Sequence, residues 1–257
     1  MSPWWPAALP LLVVLSAAAA EISPDQRRSG FDFMGPDTQA MQRDDFSNPG
    51  MLWVQDGEAL WNRKAGAAGR SCADCHGAAE TAMRGIAARY PAFDPKQGGP
   101  IDLEQRIDLC RRTAQGADAL PFESPELLAL TAYVARWSRG LPVAPDPDPR
   151  LEPFRARGAA LFHERRGQLN LSCSQCHDEH WGGRLGSSPI PQAHPTGYPL
   201  YRLEWQSLGS LQRRLRNCES AVRAEPFAYG SAENVALELF LMDRARGMPM
   251  ETPGVRP

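Results

Sequence analysis

Apolar residues recur at three- and four-residue spacing in two stretches, "SPELLALTAYVARWSRGLP" at 124–142 and "SAENVALELFLMDRARGMP" at 231–249. That period is the stripe of an amphipathic helix. Ser124 and Ser231 stand as N-caps, Pro125 suits a first helical position, and Gly140 and Gly247 are the terminators. The pattern therefore predicts two closing helices with one shared grammar. The first twenty residues, "MSPWWPAALPLLVVLSAAAA", are different: an apolar run ending in small residues, with no Lys or Arg before it. This predicts a secretory signal peptide at 1–20, cleaved near Ala20. The run is too short to span a bilayer comfortably, and no later stretch predicts a membrane span.

The two halves of the chain repeat each other. Gly57 in "GEALW" precedes Cys72 by fifteen residues, and Gly158 in "GAALF" precedes Cys173 by fifteen. A lone cysteine follows each motif, Cys110 and Cys218, each with an arginine four residues earlier, Arg106 and Arg214. Between the halves lies "LPVAPDPDPR", which predicts a stiff, extended linker. The expected organisation is a mainly α chain with two tandem cytochrome c-like domains, at 21–141 and 151–257, joined by a Pro-rich linker at 142–150. Each domain is too small for a large apolar core, so each is expected to be organised around a cofactor.

That cofactor follows from "CADCH" (Cys72, Cys75, His76) and "CSQCH" (Cys173, Cys176, His177). Cys-x-x-Cys-His attaches haem covalently: the thiols add to the vinyl groups and the histidine becomes the proximal iron ligand. A zinc knuckle would need a second ligand pair at matching spacing, and a thioredoxin-type pair needs no following histidine. The expectation is two covalently bound haem c groups, with His76 and His177 on the irons. Covalent haem attachment takes place outside the bacterial cytoplasm, so a periplasmic location is expected.

The distal ligand decides whether the haems only carry electrons. Met248 and Met250 could serve the second haem, whereas Met83 lies very close to His76 and Leu141 stands where the first half would match Met248. The lone cysteine is what both halves share, so one rule covers both irons: Cys110 for haem 1 and Cys218 for haem 2. A Cys110–Cys218 disulfide is the alternative in an oxidising compartment, although equivalent positions in two repeats normally lie apart. His163, His180 and His194 lack counterparts in the first half and read as surface or supporting residues, with His194 kept as a lesser distal candidate.

Charge then separates the two sites. The formal net charge is −2, which offers no basic field for nucleic acid. Arginine far outnumbers lysine, and arginine grips oxyanions through a two-pronged fork. Arg214 lies one helical turn before Cys218, on the same face, where its charge favours thiolate over thiol. Arg216, Arg223, Arg244 and Arg246 crowd the second site, whereas Asp108 and Trp137 stand at the positions matching Arg216 and Arg244 in the first. The second site is expected to admit an anion, and the first to be sealed, with a buried thiolate.

The segments "MQRDDFSNPGMLWVQDGEALW" and "RNCESAVRAEPFAYGSAENVALEL", together with both haem motifs, resemble the SoxA family, the dihaem subunit of the SoxAX cytochrome of bacterial sulfur oxidation. The resemblance implies L-cysteine S-thiosulfotransferase activity: thiosulfate is joined oxidatively to a cysteine of the carrier protein SoxYZ, and two electrons leave through haem. It also implies SoxX, a small monohaem cytochrome, as the subunit partner. By motif, Cys72, Cys75, Cys173 and Cys176 hold the haems, and His76, Cys110, His177 and Cys218 ligate the irons. Cys218 matches the catalytic cysteine, a persulfide in the family, and Arg214 the substrate-binding arginine. Two other functions fit similar haems: a thiosulfate dehydrogenase making tetrathionate, and a plain electron-transfer cytochrome.

Overall fold

The computed structural model describes residues 22–257, so the expected signal peptide lies outside the described residues. After α1 (Pro36–Arg43), the first half runs through α2 (Gly50–Asn62), a short haem-motif helix α3 (Ala73–His76) and α4 (Ala79–Ala82). A hairpin follows, β1 (Ala92–Asp94) with β2 (Gly99–Ile101), then α5 (Leu103–Cys110) and α6 (Pro125–Arg136). The second half repeats the order: α7 (Glu152–His163), α8 (Cys173–His177), the hairpin β3 (Arg184–Leu185) and β4 (Ser188–Pro189), the hairpin β5 (Leu200–Arg202) and β6 (Ser207–Gly209), α9 (Leu211–Ala221) and α10 (Ala232–Arg244). A last strand, β7 (Gly254–Arg256), pairs parallel to β5.

The predicted caps form. The Ser124 hydroxyl accepts from the Leu127 amide and the Ser231 hydroxyl from the Asn234 amide, satisfying amides that a helix start leaves unpaired. The closing helices end four residues before Gly140 and three before Gly247, and the "GLP" and "GMP" tails pair with each other. Val143 donates to the Met248 carbonyl, Gly247 to Val143, Gly140 to Met250, and Met250 to Leu141. The Pro-rich segment expected as a stiff, extended linker is fastened to the first half: Ala144 and Asp146 donate to Ala88 and Arg89, and Val143 is 1% exposed.

In each half the opening and closing helices cross at a glycine. A Cβ on Gly57 would lie 2.1 Å from the Ala129 carbonyl oxygen, and one on Gly158 would lie 2.0 Å from that of Ala236. No side chain fits there, which explains why glycine recurs at matching positions. The core is continuous between the halves: Trp61, Leu128 and Tyr133 share one cluster with Tyr201, Met242 and Met250. Met248 packs against the same cluster. The two methionines considered for the second haem are thus spent on the interface between the halves.

Carboxyl groups are buried at that interface. Asp102, 1% exposed, accepts from the Gln212 side-chain amide at 2.8 Å, and Glu104 and Glu238 face one small cavity. Burial raises Asp102 to about 7, and burial plus the Asp102 charge raises Glu104 to about 8. Burial first, then the Asp102 and Glu104 charges, raises Glu238 well above the carboxylate range.

Two outcomes follow from these contacts. Gly158→Ala must push two backbones apart, so thermal unfolding of the haem-loaded protein should show a loss of about 1–3 kcal/mol. Gly35→Ala, where a methyl meets nothing within 4 Å, should stay within about 0.5 kcal/mol of the parent. The buried carboxyls ionise near pH 4 when unfolded and hold their protons to about pH 7–8 when folded. The folded state binds more protons across that window, so stability should fall as pH rises from about 4 to 8. Asp94 acts oppositely and only in acid: burial works against its charge, but the Gln97 and Lys96 amides and Arg106 outweigh it. Thermal scans from pH 5 to 8 should show the decline, and Glu238→Gln should flatten it; a flat parent curve would contradict the burial of these groups.

Candidate functional site

The second half places its haem motif opposite its lone cysteine. A capping box starts α8: the Ser172 hydroxyl accepts from the Gln175 amide, and the Gln175 side chain accepts from the Ser172 amide. The His177 Nδ1 lies 2.6 Å from the Pro191 carbonyl oxygen and donates to it. That bond fixes the tautomer and leaves the Nε2 lone pair free, the arrangement of a metal-ligating histidine. Across from it α9 presents Cys218 on the wall of the same cleft. Burial works against the Cys218 thiolate, but the neighbouring His177 and the charges of Arg214 and Arg202 outweigh it and lower the thiol below its ordinary value.

His177 and Cys218 line one cleft, with Phe33, Met34, Leu215 and Leu241 among its apolar walls. Cys173 and Cys176 lie close enough for the Cys218 charge to act on both, after burial, in raising their thiols. A cleft with apolar walls, two motif thiols, a histidine with Nε2 free and a facing sulfur fits haem c. All six cysteines are unlinked, so Cys110 and Cys218 form no disulfide.

In the first site Cys110 is half-buried. The His76 ring lies 5.7 Å from the Trp61 ring, whose indole donates to the Gly77 carbonyl. Cys72 is close enough to Cys110 to feel its charge and receives a weak contact from the Gln115 amide at 3.8 Å. Trp137, expected to close this site, packs edge-on against Tyr133 in the shared core. The donor set fits a second haem c.

The two sites do differ in charge, but through other residues than the sequence suggested. Arg216 donates to the Phe227 carbonyl and stacks on Tyr229 at 4.6 Å. Arg244 is buried, 2.6 Å from Asp178 and over the Phe162 ring, and Arg246 pairs with Asp243. Arg223 is in the left-handed region at φ 58° and caps the end of α9, its carbonyl accepting from Gln168. None of these four lines the cleft. Arg214 does, and it is joined by Arg202 from β5 and Arg256 from β7.

The repeat explains why. Tyr90, Asp94, Arg106 and Cys110 in the first half occupy the places of Tyr198, Arg202, Arg214 and Cys218 in the second. In the first half Arg106 is neutralised by Asp94 at 2.6 Å. In the second the aspartate is replaced by an arginine, and Arg214 has no carboxylate within salt-bridge distance among the described residues. The Cys218 charge instead is the first cause raising the Arg214 guanidinium, against the effect of burial. The "YP" dipeptides at 90–91 and 198–199 were the overlooked signal that would have aligned Asp94 with Arg202.

The remaining histidines are where the sequence suggested, with one addition. His163 and His180 are exposed. His194 lines the cleft with its Nδ1 2.9 Å from the Arg28 carbonyl oxygen. Burial lowers it to about 4, so the ring is neutral near pH 7.

A family model described as "SoxA/TsdA, cytochrome c domain" matches residues 56–143 and 157–250. The chain is 38% identical to the L-cysteine S-thiosulfotransferase subunit SoxA of Rhodovulum sulfidophilum, over 90% of this chain and 81% of that protein. It is 38% identical to the SoxA subunit of Pseudaminobacter salicylatoxidans, over 95% and 86%. The crystal structure of SoxXA from P. pantotrophus superposes with a TM-score of 0.86 at 32% identity, covering 90% of this chain and 87% of that one. Matched in both halves and along nine-tenths of its length, the chain belongs to the SoxA family of cytochromes c.

Proposed function

We propose that this chain is the dihaem subunit of an L-cysteine S-thiosulfotransferase, which joins thiosulfate oxidatively to a cysteine of a SoxYZ-type carrier protein. The observation that carries the reading is Cys218, facing the His177 ring in a cleft with Arg214 left unneutralised beside it. Such a cleft gathers a dianion such as thiosulfate. Relatives at 38% identity bear the name of this activity.

Cys173 and Cys176 would attach one haem, with His177 Nε2 and Cys218 Sγ on its iron; Cys72, Cys75, His76 and Cys110 would hold the other. Haem c, when bound, supplies an iron that accepts one electron at a time, so the second electron needs a further centre, which a SoxX-type monohaem partner provides. Arg214 grips the sulfonate oxygens, which keep their charge throughout, and holds the outer sulfur of thiosulfate against Cys218. The Cys218 thiolate and that outer sulfur form a sulfur–sulfur bond with loss of two electrons. A carrier cysteine thiolate then attacks the outer sulfur, takes the thiosulfonate group and releases Cys218 as thiolate. His177, anchored through Nδ1 on Pro191, keeps its ring in place while the sulfur opposite reacts.

The superposable SoxXA structure supports a small cytochrome partner. Among the described residues no helix is long and apolar enough to cross a membrane. Covalent haem attachment supports export to the periplasm. A second reading has one observation in its favour, the family description that joins SoxA with TsdA: a free thiosulfate in place of the carrier cysteine would release tetrathionate. Product analysis with and without the carrier separates the two.

Cys218→Ala should reduce thiosulfate-dependent electron release by about 100-fold or more while both haems stay attached; undiminished turnover would remove the relay. Arg214→Lys keeps the charge but loses the fork, so steady-state kinetics should show the KM for thiosulfate rising about tenfold; an unchanged KM would remove Arg214 from the site.

A further inference from the structure

Arg202 sits where the first repeat carries Asp94, and its surroundings leave it short of a partner. It is 9% exposed, yet its Nε finds no hydrogen-bond acceptor. Its one carboxylate contact, Glu204 at 3.3 Å, has a side chain 66% exposed, where solvent screens the pair. The guanidinium leans over the Trp205 ring at 5.3 Å, a hold on its position that uses none of its donors. A buried cation with unused donors beside a second cation is costly unless something anionic completes the set. The Arg214 charge works against that of Arg202, and the Cys218 charge supports it, which places all three groups together. The third arginine of the cleft is already engaged: Arg256 donates to Gln42 and lies 3.4 Å from Glu251.

We propose that Arg202 is the second arm of a two-arginine clamp that binds the dianionic substrate beside Cys218, and that the exchange of aspartate for arginine between the repeats decides which of the two sites admits thiosulfate. The clamp rests on the function proposed above. In the first repeat Asp94 pairs with one Arg106 nitrogen at 2.6 Å and cancels its charge. In the second, Arg202 removes the competitor and adds five donors of its own. Two guanidinium groups beside one tetrahedral sulfonate favour a dianion over a monoanion, because both positive charges act on the whole charge of the ligand. A haem carboxylate is the other anion that could engage Arg202, and the two sources predict different outcomes.

The test uses the haem-loaded complex with its partner cytochrome and three substitutions. Arg202→Asp rebuilds the first-repeat pair against Arg214, Arg202→Gln removes the charge alone, and Arg202→Lys keeps it without the fork. The KM for thiosulfate should rise about 100-fold in Arg202→Asp and about tenfold in Arg202→Gln, with partial recovery in Arg202→Lys and kcat changed far less. In Arg202→Lys, which keeps the charge beside Cys218, the haem absorption spectrum and reduction potential should stay those of the parent. Calorimetric titration with thiosulfate, and with sulfate as a dianion that cannot react, should show the same order of affinities without depending on turnover. An unchanged KM and affinity in Arg202→Asp would overturn the clamp. So would a rise in KM in Arg202→Lys matched by a shifted potential or lost haem, which would assign Arg202 to a haem carboxylate. Parent protein that binds both dianions through Arg202 but transfers nothing to the carrier would remove the proposed activity and leave the clamp standing.

Discussion

The hydrogen bond from His177 Nδ1 to the Pro191 carbonyl sets the geometry on which the second site depends. It turns Nε2 away from the backbone and toward Cys218, so that one nitrogen and one sulfur face each other across a cleft with apolar walls. The requirement on Cys218 is double. It must be enclosed enough to complete an iron's coordination, and its remaining surface must open where an anion can arrive. Arg214, one helical turn earlier on α9, serves both ends, since its charge stabilises the thiolate and its fork remains free.

Duplication gives the chain two such frameworks and a small number of changes makes them different. Both halves cross their long helices at a glycine and both carry a Tyr-Pro corner, a hairpin and a capped helix ending in the lone cysteine or carrying it. The first site neutralises its arginine internally, through Asp94. The second leaves its arginine without a carboxylate partner and adds Arg202 beside it. Stability sits largely between the halves, where the paired tails, the shared core and the protonated carboxyls bring both repeats into one body.

Much of this could be read from the linear chain. Ser124, Ser231 and the two haem motifs carry local chemistry, and local chemistry survives without knowledge of packing. The lone cysteines could be assigned because a repeat imposes one rule on two positions. The arginine cluster could not. Arg216 lies only two residues from Cys218, which on a helix turns it to another side, toward Tyr229; Arg244 is consumed by Asp178, a pairing across 66 residues. Arg202 came from a strand, and its correspondence to Asp94 was hidden because the repeat spacing is 101 residues at the haem motifs and 108 at the lone cysteines. Loop insertions between them change the ruler. The attachment of the Pro-rich segment was hidden for a related reason: proline removes donors at its own positions, but Val143, Ala144 and Asp146 kept theirs and used them.

Electron density around the Cys218 sulfur in crystals of the haem-loaded complex exposed to thiosulfate tests the account most directly. The account predicts Sγ within reach of the iron that His177 ligates, and a sulfonate held between the Arg214 and Arg202 guanidinium groups with its outer sulfur at Sγ. Iron coordination completed by any other side chain, or a sulfonate bound away from Cys218, would contradict it.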